Sequence, residues 1–310
     1  MNTAHHLQST ATENLKSEYN YRQNRGELLA VPKGKIQVRN LASDENQTYY
    51  LYIPLSCRSN APVFISVHGI KRRAKDHVRH FAPFADRYGC IVIAPYFPEK
   101  RFNGYQYLGI NGKGERADWI LDNIIAEVVT LTGANSNKLY MFGYSGGAQF
   151  VSRYMMIYPH RVARIALAAP GWYTFPDPLL DYPLGIKRIK GHSELHFDLM
   201  KILSVPTCVL VGEKDTLRDK HLRKSRNVDQ QQGINRLERS KRWVKFMLAS
   251  ARANNLKTPY DFRMLPDSGH SFLECMQNGA MGSHVFRFLF DLNCGSNHLN
   301  SRQLNHKVLF

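Results

Sequence analysis

The chain has 310 residues, of which 43% are hydrophobic, and its formal net charge is +17 at pH 7. This composition argues against a disordered or fibrous chain and predicts a globular protein with a packed core. The absence of any run of about 18 apolar residues argues against a transmembrane helix. The positive charge is typical either of a solvated basic surface or of a protein that binds nucleic acid, anionic lipid or an acidic substrate. Because no basic run is interleaved with aromatic residues, we expect neither a nucleic-acid nor a membrane partner.

The termini differ from the rest of the chain. Residues 1–30 are polar and lack the apolar stretch of a signal peptide, so we expect a poorly ordered segment and a cytoplasmic protein. Residues 31–294 are expected to form one domain, and residues 295–310 a polar tail. The five cysteines form no CxxC pair, so their spacing predicts neither a zinc site nor redox chemistry.

Eight apolar runs predict β-strands. The first two, KIQVRN and TYYLYIP, are separated by the polar turn LASDENQ and predict a β-hairpin at the edge of a sheet. The other six are continuously apolar, as expected of strands that are buried on both faces of a parallel sheet. They are PVFISVHG, CIVIAPYF, KLYMFGY, RIALAAPG, PTCVLVGEKD and PYDFRMLPDSGH.

Helical patterns alternate with these strands. AKDHVRHFAPFADRYG predicts a helix that Pro83 breaks or kinks, and GERADWILDNIIAEVVTLTG predicts a helix that ends at Gly133. Three further helices are predicted for GGAQFVSRYMMIYPHRV, INRLERSKRWVKFMLASARANNL and SFLECMQNGAMGSHVFRFLFDLN. The alternation implies an α/β fold with a mostly parallel central sheet, helices on both faces and an antiparallel N-terminal hairpin.

Two segments, residues 96–115 and residues 171–204, are longer than ordinary loops. Both follow predicted strands, so both should emerge at the carboxyl edge of the sheet, where open α/β folds bind ligands. We predict that they line a pocket and that residues 171–204 form a lid, the alternative being two surface excursions. Trp172 and Tyr173, which lie at the start of this lid, are candidate substrate-binding residues.

The sequence Gly143-Tyr144-Ser145-Gly146-Gly147 fits the pattern G-x-S-x-G between a predicted strand and a predicted helix. A sharp strand-to-helix turn of this kind exposes a serine hydroxyl and requires small residues two positions before and after the serine. We therefore predict that Ser145 is a nucleophile, the alternative being a structural turn serine. Tyr144 is a further candidate for substrate binding.

A serine hydroxyl needs a base, and in this architecture an acid and then a histidine follow the serine along the chain. His270, on the loop after the last strand, is the predicted base, with His284 as the next candidate. Asp215, just past the preceding strand, is the predicted acid, with Glu213 and Asp219 as alternatives.

A reaction at a carbonyl group also requires donors for the oxyanion. The backbone N–H of Gly146 is one predicted donor, and the N–H of Ile70, after the strand PVFISV, is the other. Gly69 lets that backbone approach the substrate. His68 is predicted to orient the loop and is also a candidate for substrate binding.

The motifs GYSGG, His68-Gly69, VGEKD and DSGH, in this order, resemble the α/β-hydrolase superfamily over residues 35–292. YSGGAQFVSRYMMIYPHRVARIALAAPGWYT, GEKDTLRD and QQGINRLERSKRW are similar to its esterase branch near polyhydroxybutyrate depolymerases, feruloyl esterases and dienelactone hydrolases. The resemblance implies a Ser-His-Asp hydrolase without metal or organic cofactor. Position 145 carries serine, not the cysteine nucleophile of dienelactone hydrolases.

We therefore predict a carboxylic-ester hydrolase that acts on a small-molecule ester through an acyl-enzyme. One alternative is a serine peptidase of the prolyl-oligopeptidase type, although no N-terminal propeller is present. Another is an inactive protein of the same fold that binds nucleic acid or anionic lipid through its basic surface.

Overall fold

The computed structural model describes residues 31–291, which are built around an eight-stranded β-sheet. The strands are β1 Ile36–Leu41, β2 Asp44–Tyr52, β3 Pro62–Val67, β4 Ile91–Pro95, β5 Asn135–Tyr144, β6 Val162–Ala168, β7 Thr207–Gly212 and β8 Tyr260–Leu265. Their order across the sheet is β1-β2-β4-β3-β5-β6-β7-β8. Strand β2 is antiparallel to both of its neighbours, and the strands from β4 to β8 across the sheet are parallel. The predicted fold class, including the N-terminal hairpin, is confirmed. The predictions for residues 1–30 and 295–310 lie outside the described residues.

Eight α-helices connect or follow the strands of the described residues. They are α1 Ala74–Tyr88, α2 Ala117–Thr132, α3 Gly146–Ile157, α4 Leu199–Leu203, α5 Arg226–Gln232, α6 Arg236–Ala253, α7 Phe272–Gln277 and α8 Met281–Phe290. Four match predicted helices, two come from the last predicted helix, and two short ones, α4 and α5, were not predicted. Helix α2 stops where predicted, because Gly133 adopts a left-handed conformation (φ 66°) and its N–H caps the carbonyl of Val129. Helix α1, in contrast, continues through Pro83. The last predicted helix is divided into α7 and α8 at Ala280, whose φ is 47°.

The side chains of β3 show how the sheet is covered on both faces. Val63, Ile65 and Val67 belong to the core under α2, α3 and α6, whereas Phe64 belongs to the core under α1 and α8. On that second face the ring of Phe64 makes a T-shaped contact with Phe81 of α1, at 5.1 Å between centroids. A strand that contributes to two cores must be apolar at successive positions, which explains the uninterrupted apolar runs of the sequence.

The hairpin β1–β2 is tighter than the sequence suggests, because β2 already begins at Asp44. A buried carboxylate joins it to α2: Glu127 accepts hydrogen bonds from the backbone N–H of Ala42 and the hydroxyl of Tyr49, both at 2.6 Å. No helix within residues 31–291 is long and apolar enough to cross a membrane.

The two long segments emerge at the carboxyl ends of β4 and β6. Residues 171–176 turn back into the core and are buried, whereas much of the stretch from 177 to 197 is partly or fully exposed. Of residues 171–204, Gly171 contributes to the cavity that contains Ser145. The lid function of this segment stays a prediction.

Candidate active site

Ser145 lies on a sharp turn between β5, which ends at Tyr144, and α3, which begins at Gly146. Its backbone adopts φ 53° and ψ −110°, a conformation that a non-glycine residue rarely adopts. A Cβ atom at Gly143 would collide with the carbonyl of Gly147, and one at Gly147 would collide with the carbonyl of Val67. The two glycines are therefore required by the close approach of the helix to the sheet, as the sequence motif predicts.

Three side chains from different loops form a continuous chain of hydrogen bonds. The Nε2 atom of His270 lies 2.9 Å from Ser145 Oγ, and its Nδ1 atom lies 2.7 Å from Asp215 Oδ2. A carboxylate only accepts hydrogen bonds, so Nδ1 carries the proton of the neutral imidazole and donates a hydrogen bond to Asp215. Nε2 is then free to accept a hydrogen bond from the hydroxyl of Ser145. The loops that carry the acid and the histidine are joined directly, because the N–H of Lys214 donates to the carbonyl of Ser268 at 3.0 Å.

The alternative acids and the alternative histidine lie elsewhere. Glu213 accepts from the N–H of Asp267 at 2.9 Å, which braces the same pair of loops. Asp219 is bound by the guanidinium of Arg236, at 2.7 Å. His284 lies on α8, where burial lowers its pKa. The series of hydrogen bonds that begins at the hydroxyl of Ser145 thus includes His270 and Asp215 and none of the alternative residues.

Arg236, at the start of α6, lies behind the carboxylate of Asp215. Its Nη1 atom is 3.2 Å from Asp215 Oδ1 and 2.7 Å from Asp219 Oδ2, and the side chains of Arg236 and Asp215 are 2% and 1% exposed. Partial burial opposes ionisation of Asp219, but the hydrogen bonds and charge of Arg236 prevail and lower its pKa to about 2. Sequence reasoning missed Arg236, because the pair Arg236–Asp215 joins residues 21 positions apart through tertiary packing.

Ile70 and Gly146, which carry the two predicted oxyanion donors, line the same cavity as Ser145. Within the described part of the chain, neither the N–H of Ile70 nor that of Gly146 has a hydrogen-bond partner. Gly146 is the first residue of α3, where helical N–H groups point outward without intrahelical acceptors. A Cβ added to Gly69 would lie only 3.3 Å from the Cβ of Ser145, so glycine lets the Ile70 loop approach the nucleophile closely.

His68 braces this loop and does not line the cavity, so the sequence-based assignment to substrate binding is wrong for this residue. It is fully buried, its Nδ1 donates to the carbonyl of Gly69 at 2.9 Å, and its Nε2 accepts from the N–H of Phe97 at 3.1 Å. Burial lowers the pKa of His68 to about 4, so the ring is neutral at pH 7. The hydroxyl of Tyr105 donates to the carbonyl of His68 at 3.0 Å and holds the loop from the other side.

The three aromatic candidates occupy different places. Tyr144 lines the cavity, and its ring stacks on the imidazole of His270 with 5.4 Å between centroids. Tyr173 is buried, stacks on Trp243 at 4.9 Å and bonds Ser240 through its hydroxyl, so its proposed contact with substrate is wrong. Trp172 is 3% exposed and does not line the cavity either. The chain turns inward after β6, which carries both side chains into the core.

The cavity above Ser145 has a volume of about 670 Å³. Its floor contains Ser145 and His270, one wall comes from the loop after β3 and the start of α1, and another comes from residues 219–221. Gln106 and Gln149 also line the cavity. A second, more open pocket, of about 790 Å³, is lined by residues between Ile186 and Phe197 and by none of the three hydrogen-bonded residues.

The sheet order, the antiparallel β2 and the serine turn after β5 define the α/β-hydrolase fold. The solved structures that share this fold include the poly(aspartic acid) hydrolase-1 of Sphingomonas sp. KT-1, with a TM-score of 0.69 at 22% identity over 84% of this chain and 99% of that one. They also include the poly(3-hydroxybutyrate) depolymerase of Bordetella parapertussis, with a TM-score of 0.68 at 23% identity over 87% and 94%.

Sequence relatives agree with the predicted resemblance to the esterase branch. Feruloyl esterase B of Talaromyces funiculosus is 26% identical over 128 residues, which are 40% of this chain and 36% of that protein. Acetylxylan esterase A of Aspergillus ficuum is 29% identical over 124 residues, or 37% and 39%. The matched segment therefore spans about two fifths of the length of each of these relatives. No family model matches the chain.

Proposed function

We propose that the chain is a serine hydrolase that cleaves carboxylic esters through an acyl-enzyme. The observation that carries this proposal is the hydrogen-bond chain from Ser145 through His270 to Asp215, of which Ser145 and His270 line a cavity. The names of the sequence relatives, a feruloyl esterase and acetylxylan esterases, favour an ester as the bond that is cleaved.

In the proposed mechanism the hydroxyl of Ser145 attacks the ester carbonyl while Nε2 of His270 accepts its proton. The resulting oxyanion accepts hydrogen bonds from the unpaired N–H groups of Ile70 and Gly146. Asp215 stabilises the imidazolium, which then protonates the departing alcohol. The same histidine activates water for the second half of the reaction, and this water releases the acid from Ser145.

Fluorophosphonate labelling followed by peptide mass mapping tests the nucleophile. We expect a single adduct on Ser145, and we expect Ser145→Ala to lose both the adduct and the turnover of short 4-nitrophenyl esters. Ser152→Ala is a matched control, because Ser152 lies on α3, is buried and has no hydrogen-bond partner in the described chain for its hydroxyl. An adduct elsewhere, or turnover that survives Ser145→Ala, would refute the mechanism.

Parallel assays with amide and ester substrates separate the esterase from the peptidase alternative. Preference for amides would favour the peptidase and overturn the ester assignment. A protein without hydrolase activity whose binding to nucleic acid or anionic vesicles falls steeply with salt would favour the non-catalytic alternative.

A further inference from the structure

The cavity above Ser145 is lined by far more cations than carboxylates. Six lysine or arginine residues contribute to it against two aspartates. The cations are Lys71, Arg72, Arg73, Arg79, Lys220 and Arg236, and the aspartates are Asp76 and Asp219. The lining therefore has a formal charge of +4 when histidines are counted as neutral, or +3 when Asp215, which binds Arg236, is included.

The two aspartates do not neutralise this excess. Asp219 is held by Arg236 at 2.7 Å, and Asp76 lies 3.9 and 4.0 Å from Arg73 and Arg79. Lys71 and Lys220 have no carboxylate within ion-pair distance in the described part of the chain. Both lysines are exposed and line the cavity, Lys71 from the loop after β3 and Lys220 from residues 219–221.

The side chains of Arg72 and Arg153 are partly buried and fully buried, respectively. The guanidinium of Arg72 bonds the carbonyl of Phe97 and lies over the ring of Tyr105 at 5.1 Å, and its Nε atom is buried without a partner. Arg153 is 1% exposed and has no ion pair with any described residue. Both arginines thus face neutral acceptors instead of an acid.

Arg153 lies directly behind the glutamine wall of the cavity. Its Nη1 atom donates to the carbonyl of Gln106 at 2.6 Å and to Oε1 of Gln149 at 3.2 Å, and both glutamines line the cavity. Its Nη2 atom is buried without a partner, while its guanidinium lies 4.7 Å from the ring of Trp172. Burial of an unpaired cation costs free energy. A compensating anion in the adjacent cavity would recover part of that cost.

We propose that the ester substrate carries an anionic group, a carboxylate or a phosphate, that binds between the cationic walls above Ser145. This inference rests on the proposed ester hydrolysis and names the class of its substrate. The cations attract the anionic ester into the cavity and hold it near the nucleophile, whereas a neutral ester gains none of this energy.

Matched substrates that differ in one charge provide the test. Mono(4-nitrophenyl) glutarate is compared with its methyl ester, and 4-acetoxybenzoate and 4-acetoxyphenyl phosphate are compared with methyl 4-acetoxybenzoate. At low ionic strength we expect kcat/KM to be at least about tenfold higher for an anionic substrate than for its neutral counterpart. Added salt should lower kcat/KM for the anionic substrate only. The comparison of carboxylate and phosphate identifies which anion the cavity accepts.

Charge variants show whether the named residues cause the preference. Lys71→Glu combined with Lys220→Glu should lower the anionic-to-neutral ratio of kcat/KM several-fold, with the effect residing mainly in KM. Lys75→Gln removes a lysine from α1 that is exposed and does not line the cavity, and it should leave the ratio unchanged. Because both lysines are exposed, these variants avoid the folding risk of replacing Arg153.

Failure of the inference is distinguishable from failure of the proposed function. Hydrolysis of the neutral esters at equal or higher kcat/KM than the anionic ones would overturn the anionic substrate and leave the esterase intact. An unchanged ratio in the double lysine variant would overturn the assigned walls. Absence of any Ser145-dependent hydrolysis would overturn the proposed function itself.

Discussion

Arg236 and Asp215 form an ion pair that is almost completely withdrawn from solvent, 3.2 Å from Nη1 to Oδ1, directly behind the imidazole of His270. Asp215 therefore has two partners, since Oδ1 faces the guanidinium and Oδ2 accepts the Nδ1–H of the histidine. The arginine fixes the carboxylate in the orientation that the histidine requires. In the proposed mechanism Arg236 is therefore a positioning residue, one that sequence patterns alone did not reveal.

Replacement of Arg236 by methionine should lower kcat more than it raises KM, because the Asp215 carboxylate loses its brace. Removing one partner of a buried ion pair costs about 3–5 kcal/mol of folding stability. Urea unfolding and steady-state kinetics measure the two effects, and Arg236→Lys should restore part of kcat. Full activity in the methionine variant would contradict the positioning role.

His68 should support catalysis through the Ile70 loop, without contact with substrate. His68→Phe leaves the N–H of Phe97 without its acceptor and releases the carbonyl of Gly69, so we expect kcat and the rate of fluorophosphonate labelling to fall together. Tyr105→Phe, which removes the hydrogen bond to the carbonyl of His68, should produce a smaller loss of the same kind. A change confined to KM would instead restore His68 to substrate binding.

Acidification should destabilise the fold through two buried histidines. Burial lowers the pKa of His68 to about 4 and that of His77 well below its usual value, so the unfolded chain binds more protons than the folded one. Their stabilising contribution is complete above pH 6.5 and declines as the pH falls toward the folded-state pKa. Each group contributes a slope of about 1.4 kcal/mol per pH unit in that window.

Urea unfolding from pH 7.5 to 4.5 measures this slope. In the His77→Gln variant the side-chain amide can still bond the hydroxyl of Ser66, which lies 2.7 Å from Nδ1 of His77. The variant should lower the pH dependence of the unfolding free energy by about 1.4 kcal/mol per pH unit, the contribution of one proton. His160→Gln, at an exposed position, should not change it. Equal slopes in His77→Gln and the wild type would show that His77 does not titrate with folding.

Gly147→Ala should destabilise the protein strongly, because the new methyl group would collide with the carbonyl of Val67 and displace α3 from β3. We expect a loss of at least about 3 kcal/mol, typical of severe overpacking. Gly171→Ala is the control for stability, since its methyl group would have only an ordinary contact, 3.4 Å from Gln149 Nε2. Similar thermal midpoints for the two variants would contradict the steric requirement at Gly147.

The sequence predicts the framework well, because strand periodicity and chain order carry strong physical constraints. Strands that are buried on both faces have continuously apolar sequences such as PVFISV and CIVIAP, and a tight strand-to-helix turn requires glycine on both sides of Ser145. The order of acid and histidine after the serine then isolates Asp215 and His270, whose side chains the structure brings together. Their catalytic roles stay proposals until the variants are assayed.

The sequence does not predict which side chains of the irregular segments line the cavity and which are buried in the core. Tyr173 and Trp172 follow a strand end and are aromatic, yet the backbone after β6 turns inward and buries both. Periodicity has no meaning in such a segment, so local pattern cannot distinguish a pocket wall from a core residue. The burial of Arg153 was likewise not predicted. An arginine on a helix is usually exposed, whereas here the guanidinium is buried and bonds the carbonyl of Gln106 in the segment 96–115.

The contact between Ser145 and His270 joins residues 125 positions apart. The serine turn can form once β3 and β5 are paired, but its base arrives only after β6, β7 and β8 have been added to the sheet. During synthesis, Ser145 therefore emerges well before His270, so the hydrogen bond between them cannot form until β8 has been made. Under the proposed mechanism, hydrolysis requires β8 to be in place, so a chain that ends before His270 should have no activity even though it contains Ser145.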